Sequence, residues 1–465
     1  MTDLIDVTEL ISPEEEPQYF NDEEALELYQ TCTYLMEEFI KEHPALISEP
    51  DFEDIFDENI SELMHSHFDF DVFYTDDAED EMEEIIEHAK NDFFKHFIPP
   101  RSYNNTIILE EPDMEFIDEQ LEVLRHKPQP TQRTKQWYEF RHNLITASNA
   151  YKAFESQCVK NQLIYEKCQP LNSGLYSDNN NDSSTVDFKD VVMVNTNTTL
   201  HWGQKYEPLS VKIYEHNYNT KIEDFGCIQH ETYLFLGASP DGINVDKTSQ
   251  RYGRMLEIKN IVNREIDGIP KKEYWIQMQL QMEVCDLDEC DFLETKFIEY
   301  QDFAEYLHDT SDEFYEDEDG IEFQNLCLSK DNKMKGSIIY FHTKEGKPFY
   351  VYRPLDVIHP NDIEKWNENT VDHYQPNYTY MKTIYWKLEH LSCVLVCRNR
   401  QWFKDNVISL QNIWSTIETE RVSGYEHRAP NRKQKKETIE LTTTPSGGCL
   451  LQFNKETGKI TVIKS

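Results

Sequence analysis

The chain has 465 residues and a formal net charge of −43, from 88 Asp/Glu against 45 Lys/Arg. This length allows a large core with substantial additions, or more than one domain. No apolar run reaches the length of a membrane helix, and the sequence from Met1 lacks the basic-then-apolar pattern of a secretory signal. We therefore expect a soluble, intracellular protein. The ten cysteines form no C-x-x-C pair, which argues against a structural zinc site.

The negative charge is concentrated in two regions. Residues 1–130 contain 38 Asp/Glu and 6 Lys/Arg, and residues 301–325 contain ten acids and no Lys or Arg. Outside these regions the net charge is −1. Proteins that bind nucleic acid usually carry a basic surface, so the total charge argues against such a function. The nearly neutral remainder does not exclude it.

The N-terminal region, residues 1–130, is predicted to be mainly helical. Residues 23–41 and 79–97 show helical periodicity, and each apolar stripe is set among acids. The ordinary meaning of such a pattern is a solvated charged face. The functional alternatives are a docking arm for a partner protein and a lid that mimics DNA. Two pairs of prolines, the second ending at Pro130, separate this region from a different composition.

Residues 131–300 alternate between helical and strand patterns. A long polar insertion loop is expected at 176–199, and a turn is expected at Ser239-Pro240-Asp241-Gly242. This alternation predicts an α/β (α+β) fold with a central mixed sheet flanked by helices. The expected helices start at 137 and before 150, and span 203–217 and 274–284; the expected strands span 225–230, 234–238 and 255–259.

Three further segments follow. We expect an acidic insert at 301–330, a C-terminal part of the same domain at 331–425, and a basic linker with a terminal hairpin at 426–465. Within 331–425, a hairpin is predicted at 336–352 and helices at 366–373 and 401–419. The linker contains a basic strip that fits a phosphate contact, a nuclear address or a plain solvated linker equally well: Arg428, Arg432, Lys433, Lys435 and Lys436.

Asp241, Glu257 and Lys259 form a pattern suited to metal-assisted hydrolysis. Residues two apart in a strand face the same side, so Glu257 and Lys259 would point into one site while Ile258 points into the core. Asp241 lies in the turn before that strand. Mg²⁺ binds carboxylate oxygens and generates hydroxide near neutral pH, and a neighbouring lysine can polarise the water. Each piece alone also fits an ordinary turn or an exposed salt-bridging strand, so the prediction depends on the combination.

Five sequence blocks, in this order, resemble the YqaJ-type viral recombinase family. This family is the phage lambda exonuclease-like branch of the PD-(D/E)XK nucleases. The resemblance covers roughly 131–300, and residues 344–420 resemble the tail of members from large DNA viruses. It implies a restriction-endonuclease-like nuclease core. The blocks are Trp137…Arg141…Ile145-Thr146-Ala147-Ser148, Gly203-Gln204-Lys205-Tyr206-Glu207-Pro208, Gly237-Ala238-Ser239-Pro240-Asp241-Gly242, Leu256-Glu257-Ile258-Lys259 and Tyr274-Trp275-Ile276-Gln277-Met278-Gln279.

The resemblance implies a role for each metal-site residue. Asp241 and Glu257, with the carbonyl of Ile258, would hold a first Mg²⁺, and Glu207 would help to bind a second ion or its water. Lys259 would polarise the attacking water. One or two ions are expected, with Mn²⁺ as an alternative to Mg²⁺.

The resemblance also implies contacts to the substrate phosphate. Gln277 would orient the water and the scissile phosphate, and Arg141 and Ser148 match positions that grip a phosphate. Tyr274 is assigned to the phosphate with them. The structural alternatives are a surface salt bridge for Arg141 and a helix cap for Ser148.

The function implied is a magnesium-dependent 5′ to 3′ exonuclease that acts on duplex DNA ends in viral recombination, repair or replication. This activity would take place in the host cytoplasm or nucleus. A single-strand annealing or replication protein would bind through residues 1–130, and the oligomeric state stays open. A structure-selective or restriction-like endonuclease is the alternative within the same fold. A non-catalytic DNA-processing protein with an acidic recruiting arm is the alternative from another class.

Overall fold

The computed structural model describes most of the chain, and every structural statement below concerns the described residues. Among these, no helix is both long and apolar enough to cross a membrane. The described residues are 19–43, 46–49, 51–68, 76–96, 113–171, 195–196, 198–317, 320–430, 450–453 and 460–463.

The described part of the chain contains helices and strands in alternation. The helices are α1 Asp22–Glu42, α2 Phe52–Phe68, α3 Asp76–His96, α4 Met114–His126, α5 Lys135–His142, α6 Ala147–Ala150, α7 Gln157–Cys168, α8 Thr199–Tyr218, α9 Lys272–Cys285, α10 Phe303–His308, α11 Pro360–Tyr374 and α12 Arg400–Ser423. The strands are β1 Ile145–Thr146, β2 Ile222–Glu223, β3 Ile228–Gln229, β4 Leu236–Ala238, β5 Gly242–Asn244, β6 Met255–Asn260, β7 Glu289–Glu299, β8 Phe314–Glu316, β9 Glu322–Gln324, β10 Lys335–His342, β11 Pro348–Tyr352, β12 Thr379–Cys397, β13 Leu450–Phe453 and β14 Ile460–Ile463.

Helices α1 to α3 pack around an apolar core of their own, which includes the fully buried Met36 and Phe56. The two helices predicted in this region are confirmed as α1 and α3, and α2 lies between them. Asn21 begins α1 with a capping box, accepting from the N–H of Glu24 while the Glu24 carboxylate accepts from the N–H of Asn21. The sequence therefore encodes a helical unit whose apolar stripes meet one another and whose acids face water.

A seven-stranded sheet forms the centre of the fold, in the order β11-β10-β12-β7-β6-β5-β2. Strands β6 and β7 run parallel, whereas the other pairs of this sheet are antiparallel. A second, three-stranded sheet has the order β1-β4-β3, with β1 and β4 parallel. The predicted mixed sheet with flanking helices is therefore confirmed.

The largest apolar core lies between this sheet and helices α4, α7, α9 and α12. It includes Ile117 from α4, Met278 from α9, Phe292 from β7 and Leu410 from α12. Most residues of α9 are buried, including Gln279 and Gln281, because the sheet and α12 enclose the helix. This enclosure fixes the helix that carries Gln277.

The structure extends or moves several predicted elements. The 19-residue strand β12 was not predicted, and the helix expected before residue 150 consists of the single turn α6 followed by a 3₁₀ turn. The insertion at 176–199 falls mostly outside the described residues. The four other basic residues of the strip also lie outside them, whereas Arg428 is paired with Glu420. The domain boundaries inferred from composition stay predictions.

Candidate active site

Asp241 is held beside strand β6 by the turn between β4 and β5. The backbone N–H of Asp241 donates to the carbonyl of Leu256, at 3.1 Å, and Gly242 pairs with Leu256 in the β5–β6 ladder. The Asp241 Oδ2 accepts from the N–H of Ile258, at 2.7 Å. A turn followed by an antiparallel strand pair therefore brings Asp241 to the backbone between Glu257 and Lys259.

Strand β6 presents Glu257 and Lys259 on one side, as its alternation predicts. Ile258 points to the other side and packs with the buried Leu256 and Leu293. The Glu257 carboxylate is buried, at 1 % exposure, and its Oε1 accepts from Lys259 Nζ. The Lys259 ammonium also lies 3.5 Å from Gln277 Oε1. These three side chains therefore form one hydrogen-bonded group.

Helix α9 supplies two glutamines, Gln277 and Gln281, to this group. The Nε2 of Gln277 donates to Glu257 Oε1, and the Nε2 of Gln281 donates to Glu257 Oε2, each at 2.7 Å. Residues four apart lie on the same face of a helix, so one face of α9 carries both amides. Tyr274, one turn earlier, has its ring centroid 4.8 Å from Lys259 Nζ.

Helix α8 brings Glu207 to the same site. Asn260, at the end of β6, donates to the carbonyl of Gly203, at 3.3 Å, and accepts from the Ser210 hydroxyl, at 2.7 Å. These bonds fasten α8 to β6 on either side of Glu207. The Glu207 carboxylate stays exposed to solvent.

A cavity of about 210 Å³ connects these elements. Arg141 and Ser148 line it together with Glu207 and Asp241, and Arg141 donates to the Ser239 hydroxyl, at 3.2 Å. The Arg141 guanidinium also lies 4.7 Å from the centroid of the Trp137 ring. The residues lining the cavity are Gln132, Trp137, Arg141, Thr146, Ala147, Ser148, Glu207, Ser239, Asp241 and Gln277.

Ser148 lies on the single-turn helix α6. Thr146 occupies the cap position of that helix but makes no capping hydrogen bond, and its hydroxyl lies 3.4 Å from the Ser148 hydroxyl. The Ser148 side chain is exposed at the cavity. Its placement leaves the hydroxyl available to a ligand.

Desolvation, together with repulsion between carboxylates, dominates the electrostatics of the site. Loss of solvent raises the pKa of Asp241 well above its usual range, and the charges of Glu257 and Glu207 raise it further. Partial desolvation, with repulsion from Glu257 and Asp224, also raises the pKa of Glu207. Burial alone would lower the pKa of Lys259, but Glu257 and Asp241 outweigh it and raise the pKa. Lys259 therefore stays protonated at neutral pH.

The donor set fits a hard divalent cation. The carboxylates of Asp241, Glu257 and Glu207 act on one another electrostatically and offer oxygen atoms of the kind that Mg²⁺ and Mn²⁺ prefer, and a dication would offset the repulsion that contributes to the raised pKa of Asp241 and Glu207. Among the described residues, however, no group of three or more His, Cys, Asp or Glu side chains is arranged to hold a metal ion. Both oxygens of Glu257 instead accept from N–H donors of the protein.

The site brings together the residues that the sequence singled out and adds two more. Arg141, Ser148, Glu207, Asp241 and Gln277 line the cavity, and Glu257, Ile258 and Lys259 contact members of that set. Tyr274 lies against Lys259. The additions are Gln281 and Ser239. Gln281 was recognisable as lying on the face of α9 that carries Gln277, but its contacts depend on the tertiary fold. Ser239 precedes Asp241 by two residues.

Comparison with known proteins gives one curated relative and two solved structures. The chain is 27% identical over 359 residues to an uncharacterized protein of Acanthamoeba polyphaga mimivirus, a match that covers 72% of this chain. The chain spans 59% of the length of that relative. The solved structures are an alkaline exonuclease from Laribacter hongkongensis, at 16% identity and a TM-score of 0.32, and the same exonuclease with dAMP, at 17% and 0.31. Each match covers 62% of this chain and 94% of the other.

The family model of the YqaJ-like viral recombinase domain matches residues 136–288. This range contains Arg141, Glu207, Asp241, Glu257 and Gln277, and so includes the cavity and the hydrogen-bonded group around Glu257. The resemblance drawn from the five sequence blocks is confirmed. Residues 136–288 of this chain are therefore similar to the YqaJ-like viral recombinase domain.

Proposed function

We propose that the chain is a magnesium-dependent deoxyribonuclease that degrades duplex DNA from its ends, in the 5′ to 3′ direction. The observation that carries this proposal is the convergence of Asp241, Glu257 and Lys259 beside strand β6. The three are connected through the Ile258 N–H and the Lys259 ammonium. The match of residues 136–288 to a viral recombinase domain supports a role in DNA recombination, repair or replication.

Asp241, Glu257 and the Ile258 carbonyl would hold the cation, with Glu207 supporting a second ion or its water. When bound, Mg²⁺ supplies charge neutralisation at the phosphate and a water of lowered pKa. Lys259 donates a hydrogen bond to the attacking water, because its raised pKa keeps the ammonium protonated. Gln277 orients that water with its amide, which already contacts both Glu257 and Lys259.

Arg141, Ser148 and Tyr274 would hold the phosphate groups of the substrate. Arg141 lines the same cavity as Asp241 and Glu207, and its cationic side chain would attract the phosphate. Ser148 offers a hydroxyl at the same wall. A phosphate placed between these groups and the carboxylates lies where hydrolysis requires it.

The charge of the acidic regions affects the association of DNA and of partner proteins with the chain. The near-neutral remainder of the chain gives little long-range attraction for DNA, and residues 1–130 repel it. We assign to that region the recruitment of a single-strand annealing or replication protein with a basic surface. Charge complementarity supports this assignment.

A cleavage assay on linear and circular duplexes tests the activity. Linear DNA labelled at either end should be shortened from its 5′ ends in Mg²⁺, while covalently closed circles stay intact. Lys259→Met should slow cleavage by about 10² to 10³-fold, the range for loss of a preorganised hydrogen-bond donor at the reacting groups. Glu257→Gln should abolish measurable cleavage because it removes a ligand charge.

Two surface variants serve as controls. Glu364→Gln and Lys365→Met alter exposed residues of α11 and should cut DNA at the wild-type rate. Equal activity of Glu257→Gln, Lys259→Met and these controls would refute the proposed chemistry. Cleavage of closed circles would instead favour the endonuclease alternative.

A further inference from the structure

Gln281 is a fully buried polar residue on the site-facing side of α9. Its exposure is 0 %, and it lies one helical turn after Gln277. A buried amide that is not hydrogen-bonded costs free energy, so a glutamine at such a position needs partners. The hydrogen-bond partners of Gln281 belong to the candidate active site.

The Gln281 side chain joins three elements. Its Nε2 donates to Glu257 Oε2, at 2.7 Å, and to the carbonyl of Ser239, at 3.2 Å. Glu257 belongs to β6, and Ser239 belongs to the turn that carries Asp241. One amide group of α9 therefore ties together the strand and the turn that supply the two carboxylates.

The orientation of this amide follows from its partners. Both neighbours of Nε2 are acceptors, so the reverse orientation would place an oxygen against a carboxylate and a carbonyl. The Oε1 then faces away, and it has no hydrogen-bond donor among the described residues. A buried acceptor without a donor destabilises the fold. Gln281 therefore orients Glu257 and Ser239 even though its unpaired oxygen lowers the stability of the fold.

Gln279, on the same helix, shows what a purely structural glutamine does. It is 1 % exposed, and both ends of its amide are bonded. Its Nε2 donates to the carbonyl of Cys397, at 2.9 Å, and its Oε1 accepts from the N–H of Asn399, at 2.6 Å. Its partners lie at the end of β12 and at the cap of α12, outside the site.

We propose that Gln281 is a positioning residue that sets the Glu257 carboxylate and the Asp241 turn in the geometry required by the divalent cation. The inference rests on the proposed function. Residues that orient the ligands of a metal usually change its affinity by about 10 to 100-fold when they are replaced. Gln281 does not touch the substrate in this account, and acts only through Glu257 and Ser239.

The test is Mg²⁺ binding to the full-length protein without DNA, measured by titration calorimetry and repeated with Mn²⁺. Gln281→Met keeps the size of the side chain and removes its donor, and should weaken binding by about 10 to 100-fold. Gln279→Met, the matched control, should bind Mg²⁺ within about twofold of the wild type, and thermal unfolding should show that both variants are destabilised. If Gln281→Met does not fold, Gln281→Asn keeps an amide but shortens its reach, and should weaken binding in the same direction.

A cleavage assay separates positioning from a general loss of structure. In Gln281→Met, the Mg²⁺ concentration for half-maximal rate should rise by the same factor as the calorimetric dissociation constant, while the rate at saturating Mg²⁺ largely recovers. Unchanged Mg²⁺ binding in Gln281→Met, or an equal loss in Gln279→Met, would overturn the role of Gln281 alone. A wild-type protein that neither binds Mg²⁺ nor cuts DNA would overturn the proposed function itself.

Discussion

Carboxylates serve opposite purposes in the α1 to α3 unit and in the site. On α3, Glu83, Glu84 and Glu87 are exposed to water, and their helix packs through apolar residues on its other side. In the site, Glu257 is buried and Asp241 half-buried, and both lie within reach of a single lysine. Exposed carboxylates cost little and keep a helix soluble, whereas desolvation and the neighbouring carboxylates raise the pKa of Asp241, so a cation would stabilise its charged form.

The contrast between the two regions shows that a large number of acids does not mark the place where carboxylates form a site. Residues 1–130 hold 38 of the 88 acids of the chain, yet the convergent carboxylates belong to α8, the β4–β5 turn and β6. The two regions also have separate apolar cores. A side-chain hydrogen bond joins the two regions, from the Asn399 amide to the Glu49 carboxylate, at 2.7 Å. We therefore expect the α1 to α3 unit and the site to respond separately to substitution.

Disrupting the core of the α1 to α3 unit should produce the largest difference between the stability of that unit and the activity of the site. Phe56→Ala removes a fully buried ring that packs against Phe39, Phe52 and Phe93, and should destabilise the unit by about 3 to 5 kcal/mol. Calorimetric unfolding should show this loss, while the cleavage rate below the transition stays that of the wild type. Tyr34→Ala, at a 60 % exposed position of α1, should change neither quantity. A parallel loss of cleavage in Phe56→Ala would show that the two regions act as one.

A substitution at the phosphate side of the cavity should have a smaller effect, confined to the site. Arg141→Gln removes a charged donor, and a hydrogen bond to a charged group is worth about 1.5 to 3 kcal/mol. We expect cleavage of a 5′-phosphorylated end to fall by about 10 to 100-fold, with unfolding unchanged. Arg400→Gln, at an exposed arginine paired with Asp288, is the matched control. Equal rates on 5′-phosphate and 5′-hydroxyl ends in the wild type would contradict this role of Arg141.

The smallest effect is expected from the exposed acids. Replacing Glu83, Glu84 and Glu87 together by Gln removes three negative charges that repel DNA without touching the core of the unit. Stopped-flow association with duplex DNA should become several-fold faster at low salt, and the gain should vanish at high salt because surface charges are screened. Slower association would instead indicate that these acids help to present DNA to the site.

Much of the site could be predicted from local sequence. Alternation along β6 placed Glu257 and Lys259 on one side, and the Ser-Pro-Asp-Gly turn placed Asp241 before the paired strand. The contact between Gln281 and Glu257 could not be predicted, because the two residues are 24 positions apart and meet only when α9 packs onto the sheet. Helical spacing showed the face of Gln281 but not its partner.

Prediction of the fold from the sequence has the same limit. Helices α8, α9, α11 and α12 were expected because each has a continuous helical pattern. Strand β12 was missed because its burial changes along its length: the first residues are exposed, the middle is half-buried, and Val394 to Val396 are buried. It pairs with β10 at one end and β7 at the other, so no single alternation describes it.

Crystals grown with Mn²⁺ test the central claim most directly, because anomalous scattering locates the ion independently of activity. The account predicts an Mn²⁺ ion bound by carboxylate oxygens of Asp241 and Glu257, and lost in Asp241→Asn. An ion bound elsewhere, or a Mn²⁺-saturated crystal with Glu257 still hydrogen-bonded only to Lys259, Gln277 and Gln281, would contradict it.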